Sequence, residues 1–171
     1  MPEHPTVRIV EAASPGDIAA IRGLFAEYAR GLGIDLAFQR FEAELAGLPG
    51  AYAPPRGILL LARGRMARPL GCVALRPMAA EGEAEMKRLY VHPEARGHDL
   101  GRRLARSVLD HAAAMGYRRV RLDTLASMQA AQALYAGLGF RRTEAYYANP
   151  LPGTIYMALE LDHGPALPSG R

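Results

Sequence analysis

The chain has 171 residues, half of them hydrophobic, enough for one domain with a real core and short for two. No run of eighteen apolar residues occurs, and the opening MPEHPTVRIVEA lacks a basic stretch leading into an apolar one, so no membrane span or secretory leader is expected. The formal charge is a mild +4, and a single cysteine, Cys72, excludes an internal disulfide framework and suits a reducing, cytoplasmic setting.

Of the 21 basic residues only Lys87 is a lysine. With the abundant alanine, this points to a GC-rich, bacterial-like genome rather than to chemistry. Charge is unevenly spread. From Lys87 to Arg121 nine basic residues stand against three acids (Glu94, Asp99 and Asp110), which argues for a phosphorylated ligand or for a solvated arginine face. Nucleic acid is a weaker reading, because no helix-turn-helix, zinc-finger or ribonucleoprotein motif accompanies the patch.

Thr6–Ala12 alternates polar and apolar and reads as a strand. Ser14-Pro15-Gly16-Asp17 is a helix start, and Ile18, Ile21, Leu24, Phe25 and Tyr28 recur at helical spacing up to the glycines of RGLGID. Leu36, Phe38, Phe41, Leu45 and Leu48 predict a second amphipathic helix, and the proline-rich segment from Pro49 to Gly57 a loop. ILLLA and LGCVALRPM flank RGRMARP as a hairpin, with Cys72 as a packing residue rather than a nucleophile. EAEMKRLYVHP is a strand ended by Pro93. Its alternation places Glu85, Lys87, Leu89 and Val91 on one face and Met86, Arg88 and Tyr90 on the other.

A helix follows RGHDLG, with Leu100, Leu104, Val108 and Met115 on one face and Gly116 closing it. RRVRLDTL is an alternating strand, SMQAAQALYAGLGF a short helix capped by Ser127, and RRTEAYY and TIYMALEL are closing strands joined by ANPLPG. Residues 1–162 form one domain and the remainder from His163 a frayed tail. The order β-α-α-β-β-β-α-β-α-β-β predicts an α/β fold (mixed α+β) with a largely antiparallel sheet.

A strand running into a glycine-bearing turn and a helix N-terminus is a generic anion site, since the first helix N–H groups lack intrahelical partners. The turn carries neither the nucleotide P-loop nor the dinucleotide fingerprint, and the chain has no G-x-S-x-G. His92 and His98 flank the turn without a third ligand, so no metal is expected; His111 borders a helix face, and His4 and His163 lie near the ends.

The stretch EMKRLYVHPEARGHDLGRRLARSVLDHAAAMGYRRVRLDTLASMQAAQALYAGLGF resembles the core of the GNAT superfamily of N-acetyltransferases. The family's Q/R-x-x-G-x-G/A motif, preceded by an apolar triplet and a proline, falls on Leu89, Tyr90, Val91, Pro93, Arg96, Gly97 and Gly101. The later N-x-x-A-x-x-L-Y-x-x-x-G-F pattern is matched by Ala131, Leu134, Tyr135, Gly139 and Phe140. The resemblance is close over residues 83–140, and the flanking elements fit the family order.

It implies a GNAT-like domain with central strands splayed apart, using acetyl-CoA as cosubstrate to acetylate a primary amine by direct attack in a ternary complex. The pyrophosphate would lie on the turn Arg96, Gly97, His98, Asp99, Leu100, Gly101 and Arg102, and the pantetheine arm along Leu89, Tyr90 and Val91, with Ser127 a further contact. Tyr135 falls on the tyrosine that protonates the leaving thiolate, and a backbone N–H of the Leu89–Val91 strand would meet the oxyanion. Glu85 is the leading base, with strand-edge pairing to an arginine as the alternative; Glu83 and Asp123 are weaker candidates.

Tyr146 and Tyr147 are candidates for the acceptor pocket, and the acids Asp35, Glu42 and Glu44 for attracting a cationic amine. The implied acceptor is a small-molecule or peptide amine, with neither nucleic acid nor membrane as partner, and dimers are frequent in the family. A non-catalytic acyl-CoA-binding or regulatory module is the alternative.

Two positions depart from the pattern. Met128 replaces the motif asparagine, and Asp99 replaces the first motif glycine. Aspartate tolerates positive φ better than most residues, caps helices and can pair with Arg102 and Arg103, so Asp99 reads as a tolerated variant rather than a decayed site.

Overall fold

A computed structural model describes residues 6–37 and 40–161. Its strands are β1 (Arg8–Glu11), β2 (Ile58–Arg63), β3 (Pro69–Pro77), β4 (Glu83–Val91), β5 (Arg119–Leu125), β6 (Arg141–Thr143) and β7 (Thr154–Glu160). The helices are α1 (Pro15–Leu32), α2 (Phe41–Ala46), α3 (Leu100–Ala114) and α4 (Gln129–Gly137). The strands form one sheet in the order β1-β2-β3-β4-β5-β7-β6, antiparallel throughout except for the β4–β5 pair.

Helices cover both faces, which explains why β2 and β3 are continuous apolar runs rather than alternating ones. On one face Ile21, Leu24 and Phe25 of α1 pack with Leu36, Phe41, Tyr52, Leu59, Leu61 and Cys72. On the other, Leu100, Leu104, Val108 and Ala112 of α3 pack with Leu60, Val73, Leu75, Met86, Val120 and Tyr135. Leu104 and Val108 are fully buried, each contributing about 1.5–3 kcal/mol over an exposed position. The α1 start is a capping box: Ser14 Oγ accepts from the Asp17 N–H at 3.1 Å, and the Asp17 carboxylate accepts from the Ser14 N–H. Gly33 at φ +65 ends the helix.

Several expected boundaries shift. The second helix is six residues long, because Arg40 enters it in the left-handed region (φ +55) and cannot continue a helix from Leu36. Leu36 still packs in the core, and Phe38 lies outside the described residues. α4 starts at Gln129 after a turn, so Met128 and not Ser127 precedes it, with no side-chain cap. The strand expected over RRTEAYY stops at Thr143, leaving Tyr146 and Tyr147 in a connecting segment. The tail beginning at His163 and His4 are outside the described residues.

One correction matters most for the site. Cys72 of β3 faces Tyr90 and Ala74 faces Lys87, so the single residue Val73 stands opposite both Arg88 and Leu89. This β-bulge carries Arg88 at φ +59, an uncommon conformation for a non-glycine residue. One extra residue exchanges the faces downstream of it. Leu89 and Val91 pack on the α3 side and Tyr90 on the α1 side, while Arg88 lies over rings of α1 and α2. Glu85 and Lys87 therefore do not share a face with Leu89 and Val91.

Candidate active site

β4 and β5 pair only at Glu83–Arg119, Ala84–Val120 and Glu85–Arg121. β4 then runs on to Val91 and β5 to Leu125 without facing each other, and the bulge at Arg88 sits in that stretch. The resulting cleft is lined by Met86, Lys87, Leu89, Leu122, Asp123, Thr124, Met128 and Tyr135. The β5-facing edge of β4 lacks a strand partner here, an arrangement suited to pairing with an extended amide-bearing chain.

The turn follows directly on β4 and leads into α3. Arg96 Nε donates to the Val91 carbonyl at 3.0 Å, fixing the turn to the end of β4. Gly97 adopts φ +85, and a Cβ there would meet nothing within 4 Å. A Cβ at Gly101 would touch only Val91 and Leu134, at 3.7 and 3.8 Å. The first helical bond of α3 runs from the Arg103 N–H to the Asp99 carbonyl, so the preceding amides have no intrahelical acceptor. The concavity over this turn is thus open and lined by donors, which fits a diphosphate.

Asp99 does adopt a glycine-like conformation (φ +61), but it makes no cap bond, because a side-chain cap needs extended rather than left-handed backbone. Its carboxylate lies 3.6 Å from Arg102 Nε, while Arg103 instead donates to the Val7 carbonyl at 2.8 Å. The expected pairing with Arg103 is absent. Leu100 is buried, so only its backbone faces the turn; His98 and Ser127 are exposed.

The basic segment disperses in space. Arg88 binds Glu44, Arg119 and Arg121 share Glu83, and Arg118 packs over Gly82, leaving Arg96, Arg102 and Arg106 of that segment nearest the turn and α3. Glu83 is thereby committed to two arginines.

Tyr135 is buried on α4 with its ring edge-on to Phe140 (centroids 5.8 Å apart), lining the cleft. Its hydroxyl makes no hydrogen bond among the described residues, and burial raises it well above the usual phenol range. Cys72 is fully buried, its Sγ donating to the Arg88 carbonyl at 3.3 Å, and burial pushes the thiol up, which fits packing and not nucleophilic chemistry.

On the α1 side of β4, Glu85 is buried with both oxygens engaged. Arg76 donates to Oε1 through Nε at 2.8 Å, and the Tyr146 hydroxyl donates to Oε2 at 2.5 Å. The Tyr147 hydroxyl donates to Asp123 at 2.5 Å, and Asn149 donates to Tyr147 at 2.8 Å. Burial, and then the neighbouring carboxylates, push both phenols far up. Lys87 is also buried, its Nζ 3.9 Å from Glu85, and desolvation lowers its pKa despite that carboxylate. With Arg40, Arg76 and Tyr146, these groups surround a cavity of about 520 Å³ that meets the cleft at Lys87.

Tyr146 and Tyr147 line this cavity. Two of the acids considered for attracting an amine have partners of their own. Glu44 is bound bidentately by Arg88 (2.9 and 3.1 Å), and Asp35 accepts from the Ala37 N–H at 2.8 Å. No sequence pattern singled out Arg40, Arg76 or the Arg88–Glu44 pair.

A model of the acetyltransferase (GNAT) family matches residues 18–140. The chain belongs to this GNAT family. It is 41% identical over 161 residues to an N-acetyltransferase of Schizosaccharomyces pombe named as uncharacterized, covering 94% of this chain and 99% of that one. It is 31% identical over 144 residues to human N-acetylaspartate synthetase, covering 84% of this chain and 48% of that protein. A GNAT-family acetyltransferase structure from Staphylococcus aureus superposes with a TM-score of 0.76 at 17% identity, over 92% of this chain and 100% of the other. One from Streptococcus agalactiae gives 0.73 at 22%, over 91% and 98%. Relatives thus span fungi, animals and bacteria.

Proposed function

We propose that this GNAT chain is an acetyl-CoA-dependent N-acetyltransferase that acetylates a primary amine by direct attack in a ternary complex. The observation that carries the reading is the loss of β4–β5 pairing after Glu85 and Arg121, beside a cleft lined by Leu89, Leu122 and Tyr135. Acetyl-CoA supplies the activated acetyl thioester. The amides of the turn from Arg96 to Arg102 hold its diphosphate, with Arg102 drawn toward Asp99 and Ser127 at the rim. The free edge of Leu89, Tyr90 and Val91 pairs with the pantetheine amides, and a backbone N–H of the same stretch faces the negative charge that develops on the acyl oxygen.

The amine enters from the cavity of Glu85 and Tyr146. Its proton passes to the Tyr146 oxygen as the Tyr146 proton passes to Glu85 Oε2, so the phenol stays neutral throughout. Arg76 orients Glu85 for that role. Tyr135, buried in the wall of the cleft, donates its hydroxyl proton to the departing thiolate. Titration calorimetry with acetyl-CoA, coupled to a thiol-release assay over an amine panel, tests the reading. Binding with thiol release is expected. Binding without release across the panel would favour a non-catalytic acyl-CoA module, and no binding at millimolar ligand would refute both.

A further inference from the structure

The fork at which β4 and β5 part is covered by two consecutive tyrosines. Glu85 and Arg121 are the last facing pair, and Tyr146 meets both: its hydroxyl donates to Glu85 Oε2 at 2.5 Å, and Arg121 lies 5.7 Å from its ring centroid. Tyr147 takes the other branch. Its hydroxyl donates to Asp123 Oδ2 at 2.5 Å, further along β5 on the face of Arg121. The connection between β6 and β7 therefore holds each parting strand through one tyrosine, at the point where main-chain pairing ends. Tyr147 is itself well fixed. Asn149 Nδ2 donates to its hydroxyl at 2.8 Å, the Tyr156 hydroxyl donates to its carbonyl at 3.1 Å, and its ring stands 5.3 Å from that of Tyr146. The Asn149 amide is oriented by its own Oδ1, which accepts the Leu151 N–H at 2.8 Å, so its nitrogen faces the phenol. A phenol oxygen that accepts from an amide is committed to donating to the carboxylate, and burial beside Asp123 keeps it protonated.

We propose that Tyr147 is a positioning residue: tied to Asp123, it holds the adjacent Tyr146 against Glu85 in the geometry that proton transfer from the amine requires. The assignment rests on the acetyltransferase reading above and deepens its account of the base. Tyr146 lies in a connecting segment, so no strand ladder fixes its backbone. Its place depends on its neighbours: the Tyr147 tie in the chain, and the Tyr156 ring 5.3 Å away. Arg76 aligns Glu85, which receives the proton, and Tyr147 aligns the phenol that passes it on. A shift of about 1 Å would break the contact between Tyr146 and Glu85, and misplacement of that size costs up to about a hundredfold in rate. Asp123 anchors the tie in this arrangement and is not itself the base.

A set of variants tests the role. Tyr147→Phe keeps the ring, and with it the packing on Tyr146 and Tyr156. It is expected to lower kcat by about tenfold or more while changing the calorimetric Kd for acetyl-CoA by less than about twofold. Asp123→Ala should fall as far as Tyr147→Phe, whereas Asp123→Asn still offers an oxygen to the Tyr147 hydroxyl and should recover most of the kcat that the alanine loses. In a Tyr146→Phe background, Tyr147→Phe should have little further effect, because the group it positions is gone; a merely structural loss would recur there at full size. An unchanged kcat in Tyr147→Phe, or an undiminished second loss in the Tyr146→Phe background, would overturn the proposal. Asp123→Asn as damaging as Asp123→Ala would overturn it in favour of Asp123 as the base. The tie is also read without turnover, from the NMR signal of labelled Tyr146 Cζ. In the parent this phenol should remain protonated at pH 10.0, its ordinary midpoint, and in Tyr147→Phe it should begin to ionise there. A Tyr146 signal identical in the two proteins overturns the positioning role even where no amine is turned over. Failure of acetyl-CoA to bind or to release thiol sinks the underlying reading instead and leaves the NMR comparison standing.

Discussion

The Arg88–Glu44 pair is the point at which the fold is most exposed to a single substitution. Arg88 has only 2% of its side chain accessible and Glu44 12%, with the guanidinium bidentate on the carboxylate and set 5.1 and 5.7 Å from the Phe41 and Tyr28 ring centroids. Arg88→Met keeps much of the apolar contact but strands Glu44. Breaking one side of a buried pair costs about 3–5 kcal/mol, and Glu44's residual access to water puts the expected loss near the lower end, about 3 kcal/mol. For a chain of this size that lowers Tm by about 6–12 °C.

The double variant Arg88→Met/Glu44→Met removes the stranded charge and is expected within about 1 kcal/mol of the parent, since apolar replacements of buried pairs are often neutral. The double variant is therefore expected to be about 2 kcal/mol more stable than Arg88→Met alone. Urea denaturation with an unchanged m-value measures it. A single-variant loss under about 1 kcal/mol, or a double variant equal to the sum of the singles, would refute the claim that this pair clasps α2 to the bulge.

Three further outcomes are expected. Asp99→Gly removes a left-handed non-glycine residue and a carboxylate beside the turn, while the 3.6 Å contact to Arg102 is exposed and worth little; acetyl-CoA should bind several-fold tighter by calorimetry, and weaker binding would show that Asp99 is not a repulsive neighbour. Tyr135→Phe should lower kcat by about a hundredfold yet leave Tm nearly unchanged, since its hydroxyl holds no partner; an unaltered kcat would remove Tyr135 from the proton path. The Asp17 carboxyl is held at about 2, below its ordinary 3.8, chiefly by the hydrogen bond from Arg63. A depressed folded value means that this contribution is complete above pH 3.8 and lost as pH falls toward 2. The urea midpoint should drop over that interval, and Asp17→Asn should flatten the drop; an unchanged slope in the variant would assign the acid sensitivity to other carboxylates.

Where sequence patterns are local, they transmit well. Ser14-Pro15-Gly16-Asp17 starts α1 as a capping box, Gly33 ends it, and RRVRLDTL is a strand with Val120 and Leu122 buried. The family motifs around Arg96, Gly101 and Tyr135 sit directly after β4 and β5, the strands that part. What depends on pairing partners stays hidden. The clustered arginines read as one basic patch, yet Arg88, Arg119 and Arg121 are spent on Glu44 and Glu83, contributed by a different helix and strand.

The β4 bulge is the sharpest case, and it decides the chemistry of the site. EAEMKRLYV contains no glycine or proline that announces a bulge, so strict alternation is the natural reading and puts Glu85 beside Leu89 and Val91. The second residue opposite Val73 exists only because Cys72 pairs with Tyr90 while Ala74 pairs with Lys87, a register that no one strand encodes. Its consequence is a division of labour between the faces. Leu89 and Val91 face the α3 core, while Lys87 and Arg88 fall consecutively on the α1 side. A regular strand would place one of those two cations on the opposite face. Lys87 keeps the face of Glu85 by plain alternation; the bulge instead turns Arg88 to that same side, where it reaches Glu44, so the anchoring of α2 arises from the inserted residue.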